Sequence, residues 1–147
     1  MMNNNNLQII KNETIKYNHA ILVQSKELSE VYHYSRSFTT DIDYKLITVK
    51  LNIPLVGIDQ EKNYSRILLY LDNEMICDGS IWSHVKWELK PIYLEGIGVN
   101  IKKGNHSVKL MCSVTGGQLN IPYFDISCAL NTIKPPLSSK LVIIGQN

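Results

Sequence analysis

The stretch that decides the fold runs Gly96-Ile97-Gly98-Val99-Asn100-Ile101-Lys102-Lys103-Gly104-Asn105-His106-Ser107-Val108-Lys109-Leu110-Met111-Cys112-Ser113-Val114-Thr115-Gly116-Gly117-Gln118-Leu119-Asn120-Ile121. Three runs of β-formers are separated by two glycine turns, Lys103-Gly104-Asn105 and Thr115-Gly116-Gly117. β-Branched residues fit a pleated, half-buried surface, and glycine adopts turn conformations without steric cost. The pattern predicts a β-meander and hence an antiparallel β domain. His106, Val108, Leu110, Cys112 and Val114 alternate with Ser107, Lys109, Met111 and Ser113, so the first set is expected to face a core. Leu119 to Ile121 is expected to pair back on the preceding strand across Gly116-Gly117, with Asn120 on the wet face of that hairpin.

Working outward, Lys45 to Ile53 carries the clearest alternation. Ile47, Val49, Leu51 and Ile53 point one way, and Leu46, Thr48, Lys50 and Asn52 the other. One buried and one mostly wet face is the mark of an antiparallel sheet. Pro54 is expected to stop this strand and Leu55 to Tyr64 to form a polar loop. Ser65 to Leu71 is a nearly continuous apolar run, expected to be a central strand with Met75 to Cys77 as its return. Further strands are expected over Ile15 to Val23, around Tyr32, Tyr34 and Phe38, and over Trp82 to Leu89. Ile92 to Leu94 should be short, with Gly96 and Gly98 loosening the chain before Val99 and Ile101. Tyr123 to Leu130 is expected to be a strand, Thr132 to Ser139 an extended connector, and Leu141 to Ile144 a final apolar strand. Eight to ten short strands with no convincing helix imply an all-β fold, an antiparallel β-sandwich of jelly-roll type. In such a fold the last strand returns to the middle of a sheet, beside a strand formed early.

The chain has 147 residues, which suits a single domain with a real core. Residues 1–14 are expected to form a disordered or extended N-terminal tail, with Asn3 to Asn6 its low-complexity part, and 15–147 the single β-sandwich domain. Fifteen Lys and Arg against thirteen Asp and Glu give a net charge of +2. That balance lacks the concentrated basic stripe of a nucleic-acid binder. No run of apolar residues is long enough to span a membrane as a helix. The first residues are polar and lack a signal core, so synthesis without classical secretion is expected; association with a virion is one destination open to such a chain.

No motif in the chain carries recognisable catalytic chemistry. Cys77, Cys112 and Cys128 are odd in number and match no zinc spacing, and Cys112 and Cys128 lie in apolar runs where a thiol packs as a small hydrophobe. His19, His33, His84 and His106 are dispersed. Asp41, Asp43 and Asp59 lack the ordered spacing of a calcium loop. Asp72, Glu74, Asp78 and Glu88 could supply a glycosidase carboxylate pair, but acidic turn residues explain them without chemistry. Ser80, Ser83 and Ser113 have no nucleophile-elbow context. The expectation is therefore a non-enzyme with no metal and no cofactor. The aromatic residues are the better clue: Trp82, Trp87, Tyr64 and Tyr93 crowd strand ends and loops, where exposed rings stack on sugars or form protein interfaces. Core or rim packing is the competing reading. Trp82 and Trp87, five positions apart, would face opposite sides of one strand, so at least one should be exposed.

The segment Gly104-Asn105-His106-Ser107-Val108-Lys109-Leu110, followed by Gly116-Gly117 and the closing Leu141-Val142-Ile143-Ile144, resembles that of jelly-roll globular heads. These include heads related to tumour necrosis factor and complement, and knobs of viral or phage fibres. The resemblance covers about the last 80 residues and rests mostly on turn chemistry. It implies a jelly roll, often a trimer, acting in attachment or as a structural module. A collagen-like stalk is absent, and no functional residue carries over. The expected partner is therefore a second copy of the chain, in a homo-oligomer; the alternative is a carbohydrate-binding, lectin-like module with a glycan or another protein as partner.

Overall fold

The computed structural model describes residues 6–17, 19–122 and 138–147. Within them the strands are β1 (Leu7–Lys16), β2 (Ile21–Val23), β3 (Ser29–Glu30), β4 (Arg36–Thr40), β5 (Tyr44–Ile58), β6 (Asn63–Leu71), β7 (Glu74–Asp78), β8 (Ile81–Ser83), β9 (Lys90–Ile101), β10 (Gly104–Val114), β11 (Leu119–Ile121) and β12 (Ser138–Gln146). Their hydrogen bonding builds two antiparallel sheets. The first runs β1-β12-β5-β9, with β11 and β2 added along the far end of β5. The second runs β4-β10-β6-β7, with β3 also beside β10 and β8 also beside β6.

The topology follows from the eight strands that make these two four-strand rows. Taken in chain order, the first pairs with the eighth (β1 with β12), the second with the seventh (β4 with β10), the third with the sixth (β5 with β9) and the fourth with the fifth (β6 with β7). Nested pairing of this kind is a long antiparallel ribbon rolled up on itself, closed by β12 against β5 and β10 against β6. It is the jelly roll. The last strand lies between β1 and β5, as expected of a strand that returns to the middle of a sheet.

The core lies between the sheets. Ile47, Val49, Leu51 and Ile53 of β5 are at most 1% exposed, as are Val108, Leu110, Cys112 and Val114 of β10, so the inward apolar sets hold, while His106 is only partly buried and Ser113, expected outward, is buried. They meet Ile67, Leu69 and Leu71 of β6, Leu94 of β9 and Leu141 and Ile143 of β12. Each fully buried aliphatic contributes about 1.5–3 kcal/mol of transfer free energy. Outside the core, Arg36 Nε donates to both carboxylate oxygens of Glu13 at 2.9 and 2.8 Å, tying β1 to β4.

Several expectations are corrected. The decisive stretch is not a meander: β9 belongs to the first sheet, β10 to the second and β11 to the first again. Its glycine turns carry the chain across the sandwich. Turn chemistry sets where a chain reverses, whereas the partner strand is set by distant residues. Gly117 adopts φ +68, and beside it the Asp59 carboxylate accepts the Gln118 N–H at 2.8 Å while the Asp59 N–H donates to the Gln118 carbonyl at 3.1 Å. Asn120 is not on a wet face; it is 7% exposed and its amide donates to the Gln118 carbonyl at 3.2 Å. Pro54 does not end β5, because the register against β9 slips between Ile53 and Val56, and this bulge accommodates a residue without an N–H.

Ile15 to Val23 is split between β1 and β2, and β1 begins at Leu7, so residues 7–14, placed in the tail by the sequence, pair along β12. Tyr32–Tyr34 is a single 3-10 turn, leaving Phe38 in β4. Gly96 and Gly98 do not loosen the chain but lie within one continuous β9. A Cβ at Gly96 would come 2.7 Å from the Ile76 carbonyl oxygen, so the bare glycine lets β7 pack closely over β9. Trp82 and Trp87 do not share a strand, because β8 ends at Ser83. The strand expected over Tyr123 to Leu130, with Cys128, and most of the Thr132 to Ser139 connector lie outside the described residues.

Candidate functional site

Tyr64 and Trp82 are brought together by strand register. They are directly opposed on β6 and β8, so both rings stand on the outer face of the second sheet. They are 38% and 44% exposed, whereas the residues beside them in the same ladder, Ser65 and Ser83, point inward and are buried. Tyr64 is held by reciprocal bonds to Thr115: its N–H donates to Thr115 Oγ1 at 2.9 Å, and its carbonyl accepts the Thr115 N–H at 2.9 Å. The His84 ring stands edge-on to Trp82, with centroids 6.5 Å apart.

Trp87 lies in the 84–89 connection between the sheets, half exposed, with φ +58. A bulky residue in the left-handed region costs on the order of 1–3 kcal/mol. Its own N–H, donated to the Ile58 carbonyl at 3.0 Å, fixes the conformation. Glu88 accepts the His84 N–H at 3.2 Å and faces Lys90 Nζ at 3.5 Å; the His84 N–H, then Lys90, hold its carboxyl below the usual range. Tyr93 is placed elsewhere, on the outer face of the first sheet opposite Asn52, with its hydroxyl donating to Glu95 at 3.3 Å.

The structure shows a second surface that the sequence reading missed. On the outer face of the first sheet, one row across the four strands reads Ile9, Ile144, Thr48, Ile97, and the next Leu7, Gln146, Leu46, Val99. Leu7, Ile9, Ile97 and Val99 are 65%, 64%, 54% and 63% exposed. Val142 continues the patch, and the Lys50–Glu95 ion pair, at 3.8 Å, borders it. The available signal was parity within β9: Ile92 and Leu94 fill the inward positions, so Ile97 and Val99 must be aliphatic on the side that faces water.

Several of the residues with chemical potential are engaged structurally. His106 Nδ1 lies 2.6 Å from Asp72 Oδ2, which resembles the orienting half of a catalytic triad. Its Nε2, however, lies 2.7 Å from the Lys102 carbonyl oxygen, so the backbone occupies the side of the ring that a nucleophile would need. Asp78 accepts from Ser80 and Asp59 from Gln118, while Asp43 accepts the Lys103 N–H. Among the described residues no group of three or more His, Cys, Asp or Glu could hold a metal ion. Burial pushes the Cys112 thiol up to about 12, an inert state for a nucleophile at neutral pH.

No protein-family model matches the chain, and no curated protein is similar to it. Among solved structures it is similar to the infectious bursal disease virus Gx strain, at 9% identity and TM-score 0.46, over 95% of this chain and 36% of that one. It is similar to Eiger TNF from S. frugiperda, at 12% identity and TM-score 0.43, over 95% and 92% of the two chains. A CBM36-1 domain of a multidomain xylanase from the hindgut metagenome of Trinervitermes trinervoides aligns at 14% identity and TM-score 0.34, over 86% and 96%. The chain thus spans about a third of the length of the viral chain. These likenesses concern fold alone, and the jelly roll rests on the strand order.

Proposed function

We propose that this jelly-roll module is structural or serves attachment, without enzymatic activity, and works as a homo-oligomer joined through the outer face of its first sheet. Three copies is the stoichiometry that the resemblance to jelly-roll heads implies. The observation that supports the reading is the aliphatic band of Leu7, Ile9, Leu46, Ile97, Val99 and Ile144. Soluble monomers rarely expose contiguous apolar patches beyond about a few hundred Å². The side chains are aliphatic and regularly spaced on a rigid sheet, with a charged pair at the margin, as in an interface with an apolar centre and a polar rim. The last strand, β12, is flanked on both sides, so the face and not a strand edge supports the reading.

The test is the molar mass in solution of the native chain and of an Ile97→Glu, Val99→Glu double variant. Both side chains point away from the core, so the variant should keep its melting behaviour while its mass falls to that of one chain. The alternative of a carbohydrate-binding module draws on the aromatic surface of the other sheet and is separable by experiment.

A further inference from the structure

We infer that Tyr64 and Trp82 are a stacking surface for the sugar rings of a neutral glycan, with Trp87 presented on the connection that follows β8, a site independent of the proposed oligomer face. Register puts Tyr64 and Trp82 directly opposite each other on one face, which presents two aromatic rings from adjacent strands held by the sheet. Sugar rings offer an apolar C–H face to such rings and carry their hydroxyls around the edge. The surroundings suit that edge. Thr115, Asn63, His84, Glu88 and Lys90 place hydroxyl, amide, carboxylate and ammonium groups near the rings, as shown by their bonds to Tyr64, to one another and to the Trp82 carbonyl.

Glu88 is paired with Lys90 at 3.5 Å, so no unpaired charge of this pair selects an ionic ligand. This is complementary to a neutral polyol and sets the platform apart from the aliphatic face of the other sheet. Trp87 adds an independent observation. A strained backbone is retained there although the ring stays half exposed, so the strain is not offset by burial of the side chain. Strain that persists without a packing reward points to a role in presenting the residue.

Trp82 is one of the two tryptophans of the chain, so its fluorescence reports on the site, and calorimetry reads the variants that lack it. The experiment screens the purified chain on an array of neutral and acidic oligosaccharides and titrates the strongest neutral hit by fluorescence. The expected result is saturable binding that shifts tryptophan emission, weakened about tenfold or more by Trp82→Ala, partly restored in Trp82→Phe, and unchanged in Tyr93→Ala. Circular dichroism melts of each variant separate loss of the site from loss of the fold. Absence of binding at millimolar sugar, hits confined to acidic glycans, or affinity unchanged in a folded Trp82→Ala would overturn the inference. The Ile97→Glu, Val99→Glu variant should bind each sugar as the native chain does, apart from avidity on the array. Failure of the oligomer reading and failure of this one are therefore distinct.

Discussion

Gly117 joins two physical demands at one residue. Its φ of +68 is a left-handed conformation, and a Cβ there would run into the Asp59 carboxylate that accepts the Gln118 N–H. Gly117→Val is therefore expected to destabilise the domain by about 1–3 kcal/mol. Asn120→Ser, at a buried amide, should cost about 1 kcal/mol through its hydrogen bond. Denaturant melts should rank native, Asn120→Ser and Gly117→Val in falling order; a native midpoint for the glycine variant contradicts the crossing described.

Cys112 should resist alkylation at pH 8 while Cys77, only partly buried, reacts, as peptide mass spectrometry after brief labelling would show. Equal rates would mean that β10 is not held in the core. His33 is lowered below its ordinary value, first by burial and then by the charges of His19 and Arg36. The folded state thus prefers the neutral ring. Its contribution is present above the unfolded value, about 6.5, and is lost as pH falls toward the depressed one. His33→Gln should flatten the loss of stability between neutral and mildly acid pH, and melts at both ends of that range would show it.

At the scale of elements, the strands were legible and their partners were not. Period-two alternation marked the buried faces of β5 and β10 because each has a core on one side only. The β6 run was legible as central from its apolar content. The meander failed because a glycine turn looks alike whether it closes a hairpin or crosses between sheets. Pro54 misled because a bulge can absorb a missing donor. The residue types of the aromatic site were visible in the sequence, but the opposition of Tyr64 and Trp82 depends on a register between β6 and β8, and one residue of slip would separate their faces. Tyr93, chosen on the same chemical grounds, fell on the other sheet for that reason. The element that closes the sandwich is β12, whose Ile143 is fully buried between β1 and β5. Ile143→Ala should cost about 2–5 kcal/mol, whereas a polar residue at the partly exposed Val142 should cost far less. Urea midpoints that fail to separate the two would contradict the inward and outward assignment of the strand.

For the whole molecule, the two sheets present different outer faces. One is aliphatic across four strands, and the other carries an aromatic pair at its margin with polar groups around it. The first is the face through which the proposed homo-oligomer would form, since aliphatic side chains on a rigid sheet reward shape and area. The second is the face on which the proposed sugar rings would stack. Oligomer formation would leave the aromatic platform open, because it lies on the opposite side of the sandwich. The most direct test of the self-association claim is sedimentation velocity of the native chain over a micromolar concentration series, beside the Ile97→Glu, Val99→Glu variant. The native chain should sediment as a multiple of its 16.8 kDa mass and the variant as a single chain with native circular dichroism. A native chain that stays monomeric throughout, or a folded variant that assembles as the native chain does, would contradict the account.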